Sequence, residues 1–555
     1  MTLFPKRKPT LFDVFDAGNF RQILKHSASE SGDAIAVKYK TKSTPHDVTY
    51  TELLSKVDSL GTGLMLLDPP PARAAVFASD GFFPVLALLT VLSMNAVAIP
   101  VDASLPLVEK TGILIHSDCD ALFFKKEDLS AVLSQKKVLP GVRYFICYGL
   151  KEHEEDRANG LYAFSSLMEK GQNAIDEGDE RFTALAPANE DDRLLFYKSS
   201  SADSLTGVML SQGAVLSAAR GFLQLNALQG RGLLLFPADH PYGLICGLIA
   251  SLINGATVCL NSSLKAFQKE LHEYAPDYLV LPPLYIENIW QKMVKTFESV
   301  GEADTFRTLV RTSNTLRKIG IDKRRVFFSK MHQILGGKLT KIYTGGAPIN
   351  PDAVRFFDDV GVTVLGSFGE VECGALISAA REDDHDPESA GALLPCLQIM
   401  IDAPDENGRG EICVMGDTLM RGYYKNEEKT ASVIDPAGWF HTGSVGSIDA
   451  SGRISVTGKI KKEIVLKIGR TVDPEEIESY LAALPFVKSA SVFAGKDARG
   501  AELHLCAELE LDDAQFEGLT ALEKSEAVKE KLDRLNDALP AYKRVKKVHI
   551  RKNAG

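Results

Sequence analysis

The sequence predicts an α/β protein: a large multi-sheet α/β N-terminal domain, a β-rich subdomain and a small α+β C-terminal domain. Three observations carry that expectation. Short apolar runs alternate with amphipathic stretches through about residue 450, the pattern of layered strands and helices. Near residue 407 tight-turn signals take over, Asn407-Gly408 and Asp449-Ala-Ser-Gly452, between short strand-like runs. From about 459 to 555 a compact mixture of helices and strands follows. At 555 residues the chain is too long for one ordinary core, so two or more domains are expected.

The elements follow in order. Ala74-Ala75-Val76-Phe77 reads as a strand and Phe83 to Met94 as a helix. The most apolar region is Leu233 to Leu260, but Asp239, His240, Pro241 and Asn254 interrupt it. A buried helix (Gly243 to Ile253) flanked by strands explains it better than a membrane span. Tyr278-Leu279-Val280-Leu281 is a further strand. Residues 296–335 are helical and crowded with Arg307, Arg311, Arg317, Lys318, Lys323, Arg324, Arg325 and Lys330. A solvated helical insertion is the main reading; weak association of 307–330 with a membrane surface or an anionic ligand is the other. The charged turn Gly458-Lys459-Ile460-Lys461-Lys462-Glu463 sets the domains at 1–458 and 459–555, with 407–458 as the β-rich part. Beyond it, helices are expected near Pro474–Leu484 and Ala521–Asn536, and strands near Ser489–Phe493 and Leu503–Leu509.

Composition narrows the class. A net charge of −10 argues against a general nucleic-acid binder. The eight cysteines form no CxxC pair, and most sit in apolar runs such as Glu411-Ile412-Cys413-Val414. They read as buried thiols of a reducing compartment, not as disulfides or zinc ligands. The start, MTLFPKRKPTLFDVF, lacks the apolar centre of a signal peptide, so a cytoplasmic location is expected.

Residues 194–212, LLFYKSSSADSLTGVMLSQ, run from an apolar strand into a Ser-rich loop, and order resumes at Gly207-Val208-Met209-Leu210. A loop that cradles phosphate needs glycines, so that its amides can approach, and a cation to offset charge. Tyr197, Ser199 and Gly207-Val208 hold the register of the phosphate loop of AMP-forming acyl-CoA synthetases. Further segments occur in that family's order: Thr49-Tyr50-Thr51-Glu52-Leu53, Ala98-Ile99-Pro100-Val101-Asp102, Pro237-Ala-Asp-His240-Pro-Tyr-Gly243 and Leu281-Pro282-Pro283. Then come Gly345-Gly346-Ala347-Pro348, Gly366-Ser367-Phe368-Gly369-Glu370-Val371-Glu372, Gly438-Trp439-Phe440-His441-Thr442-Gly443-Ser444 and Gly469-Arg-Thr-Val472-Asp-Pro474-Glu-Glu476-Ile477-Glu478. The chain therefore resembles the adenylate-forming superfamily over essentially its whole length. The insertion ending at Leu335-Gly336-Gly337 looks most like the long-chain fatty acyl-CoA synthetase branch.

That resemblance implies stacked sheets, a mobile C-terminal domain, and ATP, Mg2+ and coenzyme A as cofactors. A carboxylate would attack the α-phosphate of ATP, and a thiol would then displace AMP. By resemblance Glu372 is the metal-binding, catalytic glutamate, since a hard cation takes carboxylate oxygen. Ser199, Ser200, Ser201 and Thr206 would face phosphate. Gly345, Gly346, Ala347, Pro348, Ser367, Phe368, Gly369, Val371, Ser444 and Lys459 would surround the nucleotide. Phe368 reads equally as a stacking partner of adenine or a core aromatic. His240, Tyr242 and Gly243 would line the acyl pocket, and Lys461, Lys462 and Gly469 the hinge and the side facing coenzyme A. Lys552 lies just before the expected position of a second, adenylation-essential lysine.

The departures fall on polar groups. Ser200 and Asp203 replace loop glycines, Thr206 the loop lysine, Val371 a threonine, Ser444 a ribose-binding aspartate and Lys459 an arginine. Each lost charge-assisted contact costs roughly 2–4 kcal/mol of transition-state stabilisation, and such losses need not add. Three readings follow. The first is an AMP-forming ligase for a fatty or other apolar carboxylate. The second is a catalytically impaired homologue that binds an acyl, adenylate or coenzyme A ligand or a protein. The third is an enzyme that hands its acyl group to a carrier protein.

Overall fold

The computed structural model describes residues 11–198, 205–299, 303–460, 464–484, 486–496, 503–512, 516 and 521–551. Ser199, Ser200, Ser201 and Asp203 of the Ser-rich loop, the hinge lysines Lys461 and Lys462, and Lys552 lie outside the described residues.

Two large sheets organise the first part of the chain. In a nine-stranded sheet, six neighbouring strands run parallel: Thr363–Phe368, Lys341–Thr344, Tyr278–Val280, Arg231–Leu234, Thr257–Leu260 and Ile35–Thr41. An eight-stranded sheet holds the parallel strands Arg73–Ala78, Val97–Asp102, Ala121–Lys125 and Tyr144–Tyr148. Its antiparallel hairpin, Asp192–Lys198 with Thr206–Ser211, brackets the Ser-rich loop.

Alternation along these strands sorts side chains into layers. Val76 joins the core between the sheets, while its neighbours Ala75 and Phe77 join the core on the far side. Leu234 and Leu233 divide in the same way in the other sheet. Strands buried on both faces read as unbroken apolar runs, which is why the sequence shows them so plainly. Helices Phe82–Leu92 and Gln212–Leu225 and the segment 243–253 fill the middle layer. Residues 243–253 are the expected buried helix, but Gly243–Ile249 is wound as a π-helix before Ala250–Ile253 returns to α.

The helical stretch 303–334 covers the outer face of the nine-stranded sheet. Phe306 packs on Phe297, Phe328 and Phe356. Arg317 and Arg324 both bind Asp358, and Arg325 donates to the carbonyls of Gly337 and Leu339. Much of the basic charge seen in the sequence is thus answered from within the fold.

The β-rich sheet is four-stranded: Leu397–Asp402, Gly410–Gly416, Phe440–Ile448 and Ile454–Lys459. It starts upstream of the 407 expected from the turn. Asn407-Gly408, with Gly408 at φ 73°, is the tip of the first hairpin and not its beginning. The last strand runs through Lys459. The C-terminal part has its own core of Ile464, Val472, Ile477, Leu505 and Leu509, among others. There helices Pro474–Ala482 and Ala521–Ala538 pack with the strands Val487–Lys496, Leu503–Leu511 and Val545–Ile550. All eight cysteines are free, and only Cys396 is partly exposed.

Helices Tyr50–Met65 and Phe164–Asp176 cross at glycine contacts. A Cβ on Gly171 would lie 1.8 Å from the Ser59 carbonyl oxygen, and one on Gly63 would lie 2.1 Å from that of Leu167. Backbone cannot yield as a side chain can, so Gly171→Ala is expected to destabilise by about 1–3 kcal/mol. Urea unfolding of the variant checks this; an unchanged midpoint would refute the close contact.

Candidate active site

Parallel strands end on one edge of their sheet, and loops leaving those ends form the natural crevice of an α/β fold. Here they are the motif segments. His240 and Tyr242 follow strand Arg231–Leu234, Pro282-Pro283 follows Tyr278–Val280, and Gly345-Gly346-Ala347-Pro348 follows Lys341–Thr344. Ser367 and Phe368 close Thr363–Phe368. The Tyr242 ring lies 3.0 Å from where a Gly345 Cβ would stand, and its hydroxyl is 3.2 Å from Ser367 Oγ. Gly369 is equally confined, since its Cβ would meet the Ala375 carbonyl oxygen at 2.2 Å. Phe368 is half-buried against the main core, as is Val371. Ala347 is half-buried and Pro348 exposed.

A charged wall stands beside these turns. Lys198, the last residue before the Ser-rich loop, places Nζ 2.9 Å from Glu372 Oε1. The Tyr423 hydroxyl donates to the same oxygen at 2.8 Å. Glu372 is 1% exposed. Burial alone would raise its pKa, but the Lys198 charge and these two hydrogen bonds hold it below the usual carboxylate range. Conversely, burial works to discharge Lys198, and Glu372 and Glu370 overcome it. Glu370 accepts from Lys459 Nζ at 2.6 Å and from Ser444 Oγ at 3.4 Å. At the other end of the loop, Lys429 Nζ donates to Thr206 Oγ1 at 2.7 Å. The same ammonium lies 5.2 Å above the Tyr423 ring. As arranged, Glu372 Oε1 serves an ammonium and a phenol, while Oε2 is buried with no hydrogen-bond partner among the described residues, so a divalent ion there would share the carboxylate with Lys198 at close range.

The C-terminal part closes over the site through a loop between two short strands, Ile464–Val465 and Thr471–Val472. Arg470 NH2 reaches Asp102 and Asp239, each at 2.7 Å. Asp102 ends a strand of one sheet, while Asp239 follows a strand of the other. Burial raises the Asp239 pKa, and Arg470 offsets part of the rise. Next to it Gly469, at φ 80°, leaves no room for a side chain: a Cβ would sit 2.8 Å from His240 Nε2. A Gly346 Cβ would lie 3.4 Å from the Gly469 Cα, so the two backbones nearly touch. His240 is buried against Phe236 and shares a backbone hydrogen bond with Gly469. Burial, aided by the nearby Arg470 charge, drops its pKa to about 3. Lys467 pairs with Glu287, and its carbonyl accepts from the Leu284 amide at 3.2 Å.

Contacts thus join His240, Gly346 and Gly469 in one cluster and Tyr242, Gly345 and Ser367 in a second, while Glu372, Thr206, Ser444 and Lys459 sit along the charged wall. Sequence reasoning missed Lys198, Glu370, Tyr423, Lys429, Asp239 and Arg470. Lys198 carried a signal, a charge at the end of a buried strand beside the loop. Lys429 carried none, being 223 residues from the hydroxyl it binds.

The sequence profile described as AMP-binding enzyme matches residues 24–424. The chain belongs to that family. Among curated relatives, mouse long-chain-fatty-acid--CoA ligase 6 is 25% identical over 503 residues, covering 85% of this chain and 71% of the relative. Bovine long-chain-fatty-acid--CoA ligase ACSBG1 is 24% identical over 530 residues, with 89% and 71% covered. Of solved structures, the A-PCP didomain of the carboxylic acid reductase from Segniliparus rugosus superposes with TM-score 0.76 at 16% identity, covering 97% of this chain and 78% of that one. The amide bond synthetase McbA from Marinactinospora thermotolerans superposes at 0.70 with 19% identity and 97% of each chain covered. At these identities the structures establish the shared fold. No helix among the described residues is long and apolar enough to cross a membrane.

Proposed function

We propose that this AMP-binding enzyme is an AMP-forming acid–CoA ligase that activates an apolar carboxylate through an acyl-adenylate. The observation that supports it most is the convergence of separate motif segments at the strand ends, with Gly469 of the closing loop against Gly346 and His240. ATP and coenzyme A are the expected co-substrates. The nucleotide lies along Gly345-Gly346, Ser367 and the Glu370–Lys459 pair, its phosphates toward Lys198 and Thr206. His240, neutral at physiological pH, orients the closing loop instead of carrying charge.

The long-chain ligases among the relatives support an apolar acid, as does a cavity beside Gly243 lined by Val85, Leu234, Leu244, Leu248 and Leu260. That cavity is about 40 Å³, room for a few waters and too small for a long acyl chain. Weak contact of 307–330 with a membrane belongs to the same reading, with Ile319 and Val326 exposed beside Lys318 and Lys323.

Pyrophosphate release from ATP, Mg2+ and a panel of acids from short to long tests the proposal. Silence across the panel would sink it. The impaired-homologue reading is favoured by the Lys198–Glu372 pair, and turnover at ordinary enzyme rates would exclude it. Transfer to a carrier phosphopantetheine instead of coenzyme A separates the third reading.

A further inference from the structure

We infer that Lys198 and Lys429 are the phosphate-binding cations of this site. Lys198 takes the place of a divalent ion at Glu372, and Lys429 replaces the ammonium missing at Thr206. The inference rests on the proposed placement of a nucleotide at this wall.

Position supports it first. The two lysines flank the Ser-rich loop, Lys198 at its entry and Lys429 at its exit through Thr206. They come from distant parts of the chain and meet at one aromatic, Tyr423. Its hydroxyl shares Glu372 with Lys198, and its face lies under Lys429. Strand pairing fixes that meeting, because Tyr423 is in register with Val208 of the loop's exit strand.

Charge supports it next. Phosphate binding needs positive charge held beside a loop, and a lysine supplies it as a compact point charge. An ammonium has three N–H donors, and Glu372 takes one from Lys198. The Lys198 side chain is 30% exposed. Lys429 lies on the surface side of Thr206 and is exposed. The same relocation applies to the lost carboxylate. Ser444 has none, but Glu370 brings one to its hydroxyl and to Lys459. Each charge missing from its motif position has thus reappeared on a neighbour.

Calorimetric titration of ATP into the full chain, in Mg2+ and again in EDTA, tests the inference. Wild-type affinity is expected to change by less than about threefold between the two. Lys198→Thr is expected to make binding metal-dependent, losing about tenfold or more in EDTA. Lys429→Ala should lose about tenfold with or without metal, and Thr206→Lys in that background should restore it. The wild-type comparison needs no variant, so misfolding of Lys198→Thr leaves the test intact. Wild-type binding that collapses in EDTA overturns the inference, as does an indifferent Lys429→Ala. If such binding persists but no acid releases pyrophosphate, the ligase reading fails and this one stands. If pyrophosphate is released but ATP binds only with Mg2+, the reverse holds. No ATP binding in either buffer overturns both.

Discussion

Replacing Arg470 with alanine is expected to free the C-terminal part of the chain from the rest and to cost about 3–5 kcal/mol. The guanidinium holds two carboxylates at 2.7 Å, and the Asp239 side chain is only 3% exposed. Removing one partner of a buried pair leaves an uncompensated charge, which costs far more than the net worth of the intact pair. Asp239 already has a raised pKa with Arg470 present. Without it the carboxyl must take up a proton or pull the loop apart. One nitrogen, NH2, makes both contacts, so lysine keeps the charge and should rescue in part. Two readouts check this. The melting temperature should fall, and limited proteolysis should cut near Ile460. An Arg470→Ala protein that melts and resists protease like wild type would show that the clamp carries no load.

The clamp also illustrates what the sequence revealed and what it withheld. The α/β layering was legible because strands buried on both faces leave continuous apolar runs, such as Ala74-Ala75-Val76-Phe77. The turns Asn407-Gly408 and Asp449 to Gly452 were legible because glycine at positive φ is a local requirement. The site was legible only where a motif is contiguous. Gly345-Gly346 and Glu372 announce themselves, but their partners do not. Arg470 binds residues 368 and 231 positions away, and Lys198 binds one 174 away. The motif positions alone do not announce which side chains the fold brings to them. Beside Thr206 the fold places Lys429, and beside Ser444 it places Glu370.

His240 gives the second large effect, through pH. Its pKa is about 3 in the folded chain, against 6.5 for the free side chain. Between those values the unfolded chain binds a proton at this residue that the folded chain refuses, so acid favours unfolding. The stability concerned is fully present above about pH 6.5 and is lost as pH falls toward about 3. The slope is about 1.4 kcal/mol per pH unit, or about 2 kcal/mol between pH 6.5 and pH 5. Asp239 works in the opposite sense, because a carboxyl with a raised pKa is relieved when acid protonates it. The two partly cancel in wild type, so the clean measurement is a difference. His240→Gln keeps a polar group of similar reach but cannot titrate. Its urea midpoint should fall less steeply than that of wild type from about pH 7 to about pH 5, by roughly the slope of one proton. At neutral pH the variant gains nothing from this effect and loses the contact with Gly469. The two stability curves should therefore converge as the solution is acidified. Parallel curves would mean that His240 is not held neutral, and that Gly469 does not seal it from water.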